Sequence, residues 1–192
     1  MNKELRIEDN KHFFENIEGW SSYRDQGKLL ESILERMPKT DNKLNIAEIG
    51  VYKGRCTAMW NIILINSGIK YNYDAIDNFI GSKEHIKNID YYSEALSNLS
   101  CIINKINLIK NDSVAQSKTY PDEYFDIVYI DASHEYEDVK ADILSWFPKV
   151  KVGGFFCGDD FIHSWPGVKR AVKENFGNTI EKIGRQQWLK IK

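Results

Sequence analysis

The chain has 192 residues, 42% of them hydrophobic and 28% charged, with a formal net charge of −2. That is enough for one well-buried core and short for two, and the near-neutral balance excludes a general attraction to nucleic acid or to an anionic membrane. The apolar run "AMWNIILI" is too short to span a bilayer and "MNKELRIEDNKHFF" has no signal-peptide core; the three cysteines, Cys56, Cys101 and Cys157, form no CxxC pair and are expected as buried, reduced thiols in a cytoplasmic protein.

In chain order, residues 22–37 carry Leu29, Leu30, Ile33 and Leu34 at helical spacing, and Pro38 with "KTDNK" ends that segment. Residues 1–40 are expected to pack as a helical segment on the same domain as residues 41–192. "LNIAEIG" is a short buried strand running into a glycine, and "GRCTAMWNIILINSG" a helix closed by Gly68. "YNYDAID" is a second strand, "SKEHIKNIDYYSEALSNL" a helix, and "INLIKND" a third strand followed by a short helix. "FDIVYID" is a fourth strand. "EYEDVKADILSWF" is a helix with Val139, Ile143 and Phe147 on one face, and "VGGFFCGDD" is a fifth strand. "PGVKRAVKENFG" has proline near its first turn and glycine past its end, as a helix should. "NTIEKI" and "QQWLKIK" form a hairpin around Gly184-Arg185.

Strands alternating with helices predict a mainly parallel sheet with helices on both faces, and in such sheets ligands bind beyond the carboxyl ends of the strands. Five strands end in or near an acid: Glu48, Asp77, Asp112, Asp131 and the pair Asp159-Asp160. One such acid means little, but five on one edge point to a site.

Three groups of residues carry chemistry. In "EIGVYKG", Gly50 and Gly54 allow a tight turn and close approach to a ligand, but the spacing is not the G-x-G-x-x-G of a pyrophosphate cradle. Asp77 ends the second strand, where an acid can accept hydrogen bonds from both ribose hydroxyls, and Asp112-Ser113 can reach an adenine edge. Together these predict a nucleoside site without a phosphate site. Asp131 with Asp159-Asp160, 28 residues on, gathers carboxylates whose mutual repulsion a hard divalent cation resolves. His134, one short turn past Asp131, suits a general base near neutral pH. His163 is a rival base, while His12 and His85 read as surface residues. Trp20, Tyr52, Phe79 and Trp165 fall near the expected mouth, as stacking surfaces or as core.

"AEIGVYKG", "DAIDNF", "NDS", "FDIVYIDASHEYEDVKADILSWFPKVKVGGFFCGDDF" and "PGVKRAV" resemble class I S-adenosylmethionine-dependent methyltransferases over roughly residues 18–176. The Asp131, Asp159, Asp160 spacing is similar to that of the metal-dependent O-methyltransferases of the catechol and macrolide-sugar types. The resemblance implies an α/β, Rossmann-like three-layer sandwich, with a seven-stranded, mostly parallel sheet and an antiparallel last strand. It implies that S-adenosyl-L-methionine is bound by Glu48, Gly50, Tyr52, Gly54, Asp77, Asn78, Asp112, Ser113 and Asp131. Asp131, Asp159 and Asp160 are implied to hold Mg²⁺ or another divalent cation, with His134 as base for O-methylation of a sugar or other small polyhydroxylated molecule. No long N-terminal extension precedes the motifs, so acceptor-binding structure is expected from residues 1–25, the loop after Asp77, or a second subunit of a homo-oligomer. The residues leave open a metal-dependent hydrolase, an iron-dependent hydroxylase or a non-catalytic nucleoside-binding module. Nucleic-acid base methylation is disfavoured, because "GDDF" is not the Asn/Asp-Pro-Pro-aromatic motif.

Overall fold

The structure is a computed structural model that describes residues 12–38, 41–81 and 89–192. His85 and the first part of the helix expected from Ser82 lie outside the described residues. Strand β1 (Leu44–Ile49) and the helix α2 (Arg55–Asn66) follow α1 (Lys28–Arg36), and β2 (Tyr71–Asp77) leads to α3 (Tyr91–Asn98). Then come β3 (Asn107–Lys110), α4 (Ser113–Ser117), β4 (Phe125–Ile130), α5 (Tyr136–Trp146), β5 (Val150–Gly158), α6 (Pro166–Phe176), and the hairpin β6 (Glu181–Ile183) and β7 (Gln187–Ile191). The seven strands lie in the order β3-β2-β1-β4-β5-β7-β6. β1 to β5 are parallel, and β7 runs antiparallel to both β5 and β6.

Alternation along each strand divides the core in two. Ile46, Tyr73, Ala75, Ile127, Tyr129 and Phe155 face one side, with Leu29, Leu30 and Ile33 of α1 and most of α2. Ala47, Ile49, Ile76, Val128, Ile130 and Phe156 face the other, with Val139, Ile143 and Trp146 of α5 and Val168, Ala171 and Val172 of α6. The expected three-layer architecture is therefore the observed one. Each fully buried aliphatic or aromatic side chain contributes roughly 1.5–3 kcal/mol. α2 is buried on nearly all sides, from Cys56 to Leu64. That requires a cover beyond the sheet, and the N-terminal segment supplies it through Phe14 and Ile17.

The fold corrects four local expectations. The helix over 22–37 starts as a π-helical turn, Tyr23–Gly27, before α1; the wider turn lets the Trp60 indole donate to the Gln26 carbonyl at 3.0 Å. β3 stops at Lys110, because Asp112 is occupied as the cap of α4, accepting from the Ala115 amide at 2.8 Å. Cys101 is exposed, while Cys56 and Cys157 are buried. His12 is buried at 5% exposure and stacks on Phe14, since the segment carrying it closes over α2. Among the described residues no helix is long and apolar enough to cross a membrane.

One turn sets where the site forms. Gly50 has φ of +97°, and a Cβ there would lie 2.0 Å from the Asp131 carbonyl oxygen. Rigid backbone is the obstacle, so neither a rotamer change nor a small shift relieves it. Gly50→Ala is expected to cost at least about 2–4 kcal/mol of stability, read as a lower denaturant midpoint in urea unfolding; an unchanged midpoint would show that the β1 and β4 ends can separate.

Candidate active site

The carboxyl ends of the parallel strands open into a cleft of about 830 Å³, lined from all of them and from the N-terminal segment. Among the described residues four non-glycine residues have left-handed φ: Tyr52, Phe79, Glu123 and Asp160. Tyr52, Phe79 and Asp160 line this cleft. Such backbone is disfavoured and persists where surrounding contacts enforce it, commonly at functional sites.

At one end, Asp77 organises the turn after β1. Its Oδ2 accepts from the Val51 and Tyr52 amides at 2.8 and 2.9 Å, and its Oδ1 from the Phe79 amide at 2.7 Å. A carboxylate has about four acceptor positions, so acceptor capacity is left toward a ligand. Gly50, Tyr52, Asn78, Asp112 and Ser113 also line the cleft. Glu48 and Gly54 are not in its lining. Glu48 is fully buried behind the turn, where its Oε2 accepts from Thr57 at 2.6 Å and Tyr73 at 2.9 Å. Burial lifts its pKa to about 7 against the pull of those hydroxyls. Gly54 instead starts α2 at φ +90°, against Leu99.

The other end gathers Asp131, Asp159, Asp160 and His134. Asp131 follows β4 and accepts from the Tyr129 hydroxyl at 3.0 Å. Although the residue keeps some exposed surface, its carboxyl is desolvated and faces the charges of Asp159 and Asp160, which together hold its pKa well above the usual carboxylate range. Burial, then the charge of Asp160, raises Asp159 as well. The Asp159 side chain accepts from Gln26 on Oδ2 and from Gln187 at 2.8 Å on Oδ1. Both glutamines are buried. The His134 ring places Nε2 2.8 Å from Asp160 Oδ2 and stacks on Trp165 with centroids 3.7 Å apart. His163, the rival base, is at the surface within 3.5 Å of Lys169 Nζ and outside the cleft lining.

Three oxygen-donor acids, of which Asp131 and Asp159 are raised by burial and by neighbouring negative charge, fit a hard divalent cation in charge and donor type. Among the described residues no three His, Cys, Asp or Glu groups are already gathered into a metal cage, so the fit is one of chemistry.

Gln26 and Gln187 were not legible as site residues in the sequence, since nothing local marks amides that meet Asp159 from 133 and 28 positions away. Trp20 lies 74% exposed at the rim, stacked on Tyr52 at 5.4 Å. The segment bearing it is tied to α2 by Arg55, which donates to the Ser21, Ile17 and Glu15 carbonyls and pairs with Glu15 Oε2 at 2.6 Å.

The repulsion is measurable. An acid whose folded pKa is raised stabilises the fold fully only below its unfolded value of about 3.9, and that stability is lost as pH rises through the folded value. Asp131→Asn is therefore expected to stabilise the cation-free chain at pH 8 by about 1–2 kcal/mol and to flatten the fall in stability between about pH 4 and pH 8. Urea unfolding at both pH values checks this; equal stability of variant and wild type at pH 8 would mean the charges are not in conflict.

Comparison with known proteins agrees with the topology. The methyltransferase-domain family model matches residues 47–161, more than half of the chain. Direct sequence comparison finds no match among curated proteins. Among solved structures, an O-methyltransferase from Bacillus cereus in complex with SAH superposes with a TM-score of 0.62 at 17% identity, covering 92% of this chain and 85% of that one. CalS11, a TDP-rhamnose 3'-O-methyltransferase of calicheamicin biosynthesis, gives 0.60 at 17% identity over 86% and 76%. MycE, a methyltransferase of mycinamycin biosynthesis solved with Mg, SAH and mycinamycin VI, gives 0.50 at 19% identity over 77% of this chain and 44% of that one. At these identities the superpositions speak for the fold, and the sequence match speaks for the family: the chain belongs to the methyltransferase-domain family.

Proposed function

We propose that the chain transfers the methyl group of S-adenosyl-L-methionine to a hydroxyl oxygen of a sugar or similar small polyhydroxylated molecule, with the help of a divalent cation. The observation that carries this reading is that Asp131, Asp159, Asp160 and His134 line the same cleft as Asp77 and the Gly50 turn, which packs against Asp131. A nucleoside site and an acid-histidine group sharing one cavity suit transfer between a bound donor and a bound alcohol. Structural neighbours that carry SAH, act on TDP-rhamnose or bind Mg support the same reading.

When bound, the donor supplies an electrophilic sulfonium methyl, and the cation supplies positive charge that favours a deprotonated oxygen. Asp77 would take a ribose hydroxyl on its remaining acceptor position. Asp131, Asp159 and Asp160 would hold the cation, and the Gln26 and Gln187 amides would keep the Asp159 carboxylate turned while leaving its charge intact. His134 would remove the proton of the acceptor hydroxyl. Its stack on Trp165 fixes the ring plane, and Asp160 offsets the charge the imidazole gains. The exposed face of Trp20 offers an acceptor ring a surface to lie against. Alignment of the two reactants in this cavity could supply roughly 7–11 kcal/mol of the barrier reduction.

Three measurements test the reading. Calorimetric titration should find micromolar binding of S-adenosylhomocysteine to the wild type and a loss of about 100-fold or more in Asp77→Ala; equal binding by the two would remove Asp77 from the site. MgCl₂ should raise the melting temperature of the wild type and leave Asp131→Asn unmoved. Methyl transfer to a sugar-hydroxyl panel should fall at least about 100-fold in His134→Ala and in EDTA. Transfer indifferent to both would leave neither cation nor His134 in the reaction.

A further inference from the structure

The cleft lining holds eight aspartates and two arginines, and the two arginines are placed differently. Arg55 is engaged with the N-terminal segment, through the Ser21, Ile17 and Glu15 carbonyls and the Glu15 carboxylate. Arg185 is exposed, and among the described residues its guanidinium has no ion pair, hydrogen bond or ring contact. That is unexpected for a cation in a wall of acids. Asp159 and Asp160, which its hairpin meets through Gln187, are turned elsewhere. Asp160 Oδ2 faces His134 Nε2 at 2.8 Å, and Asp159 accepts from the Gln26 and Gln187 amides. A rigid fork of N–H donors is therefore left to the cleft.

The backbone that carries this fork is held in place. Arg185 lies in the turn between β6 and β7, beside Gly184 at φ +57°. The next carbonyl, that of Gln186, accepts from the Phe161 amide at 2.8 Å, and the Gln187 side chain donates to Asp159 Oδ1 at 2.8 Å. β7 runs antiparallel to β5 with Trp188 opposite Gly158, so the turn stands at the carboxyl end of β5, next to the Asp159-Asp160 pair. Strand order then decides which reactant the arginine can meet. From β2, which Asp77 ends, to β7 is four strand spacings, or roughly 19 Å. Asp131 and the Asp159-Asp160 pair come between. A nucleoside held at Asp77 is thus remote from Arg185, while a molecule bound at the acids and His134 lies beside it.

We propose that Arg185 binds an anionic substituent, a phosphate or a carboxylate, on the methyl acceptor, so that the acceptor is an acidic sugar or acidic polyol instead of a neutral one. This rests on the methyl-transfer reading and names the class of its acceptor. A guanidinium meets either group with two parallel N–H···O bonds, whereas a neutral acceptor leaves it to water. The aspartates of the lining would repel such a substituent, and a cation held by Asp131, Asp159 and Asp160 offsets that repulsion.

The test is calorimetric titration of the full chain, with S-adenosylhomocysteine and MgCl₂ present, against glucose 6-phosphate, glucuronate and glucose. The wild type should bind at least one of the two anionic probes about 10-fold or more tightly than glucose. The tighter of the two identifies the group as phosphate or carboxylate. Arg185→Gln should lose the preference and Arg185→Lys should keep part of it, while both bind S-adenosylhomocysteine as the wild type does. A preference that survives in Arg185→Gln belongs to the cation, and the proposal falls. It falls equally if the wild type shows no preference, or if Arg185→Gln weakens S-adenosylhomocysteine binding as much as it weakens the anionic probe. In all three cases binding of S-adenosylhomocysteine by the wild type leaves the methyl-donor reading standing. If the wild type does not bind that compound, the methyl-donor reading falls and the acceptor class falls with it.

Discussion

Carboxylates crowded at one edge of a sheet repel one another, and most of the local structure of this protein consists of separate answers to that repulsion. Glu48 is sealed behind the β1 turn among hydroxyl donors, with its pKa lifted toward neutrality. Asp77 spends three acceptor positions on backbone amides and thereby shapes the turn that Gly50 makes possible. Asp112 caps α4. Asp131 has one tyrosine hydroxyl and Asp159 two glutamine amides with the Asp160 backbone amide, and their pKa values stay raised all the same. Strain follows the same edge, in the left-handed backbone of Tyr52, Phe79 and Asp160. A site that keeps its charges in conflict is prepared for ligands that bring the opposite charge or additional donors.

The N-terminal segment is part of this arrangement. Arg55 holds it by its carbonyls and by Glu15, and Lys53 pairs with Glu18 at 2.7 Å and with Glu94 at 3.0 Å. The segment then covers α2, presents Trp20 at the rim and delivers Gln26 to Asp159. Cover, rim and support for one carboxylate thus come from a single stretch, so order in that stretch and geometry at the acid cluster are coupled through the Gln26 contact.

Much of this could be read locally. Period-two strands, Gly68 and Gly177 after helices and acids at strand ends give the element order and the ligand-binding edge, because each depends on near neighbours in the chain. The resemblance rested on the same short motifs. What stayed hidden was pairing over distance: Gln26 with Asp159, Arg55 with the Glu15–Ser21 stretch, His12 folded under instead of out. Asp142 shows the limit well. In sequence it is one acid among several on an amphipathic helix, and only packing makes it a buried charge beside an open cleft.

By itself, the sequence determined the α/β class, the succession of strands and helices, and the set of acids and histidine brought to one edge, since hydrophobic period and turn chemistry act between neighbours. The tertiary structure decided which of those acids line the cleft and which are buried behind it. It left Glu48 and His163 outside the cleft lining, set His134 against Asp160 and Trp165, brought Gln26 and Gln187 to Asp159, and buried Asp142 beside the cleft. Those outcomes depend on burial and on contacts between residues far apart in the chain, and no local pattern encodes either.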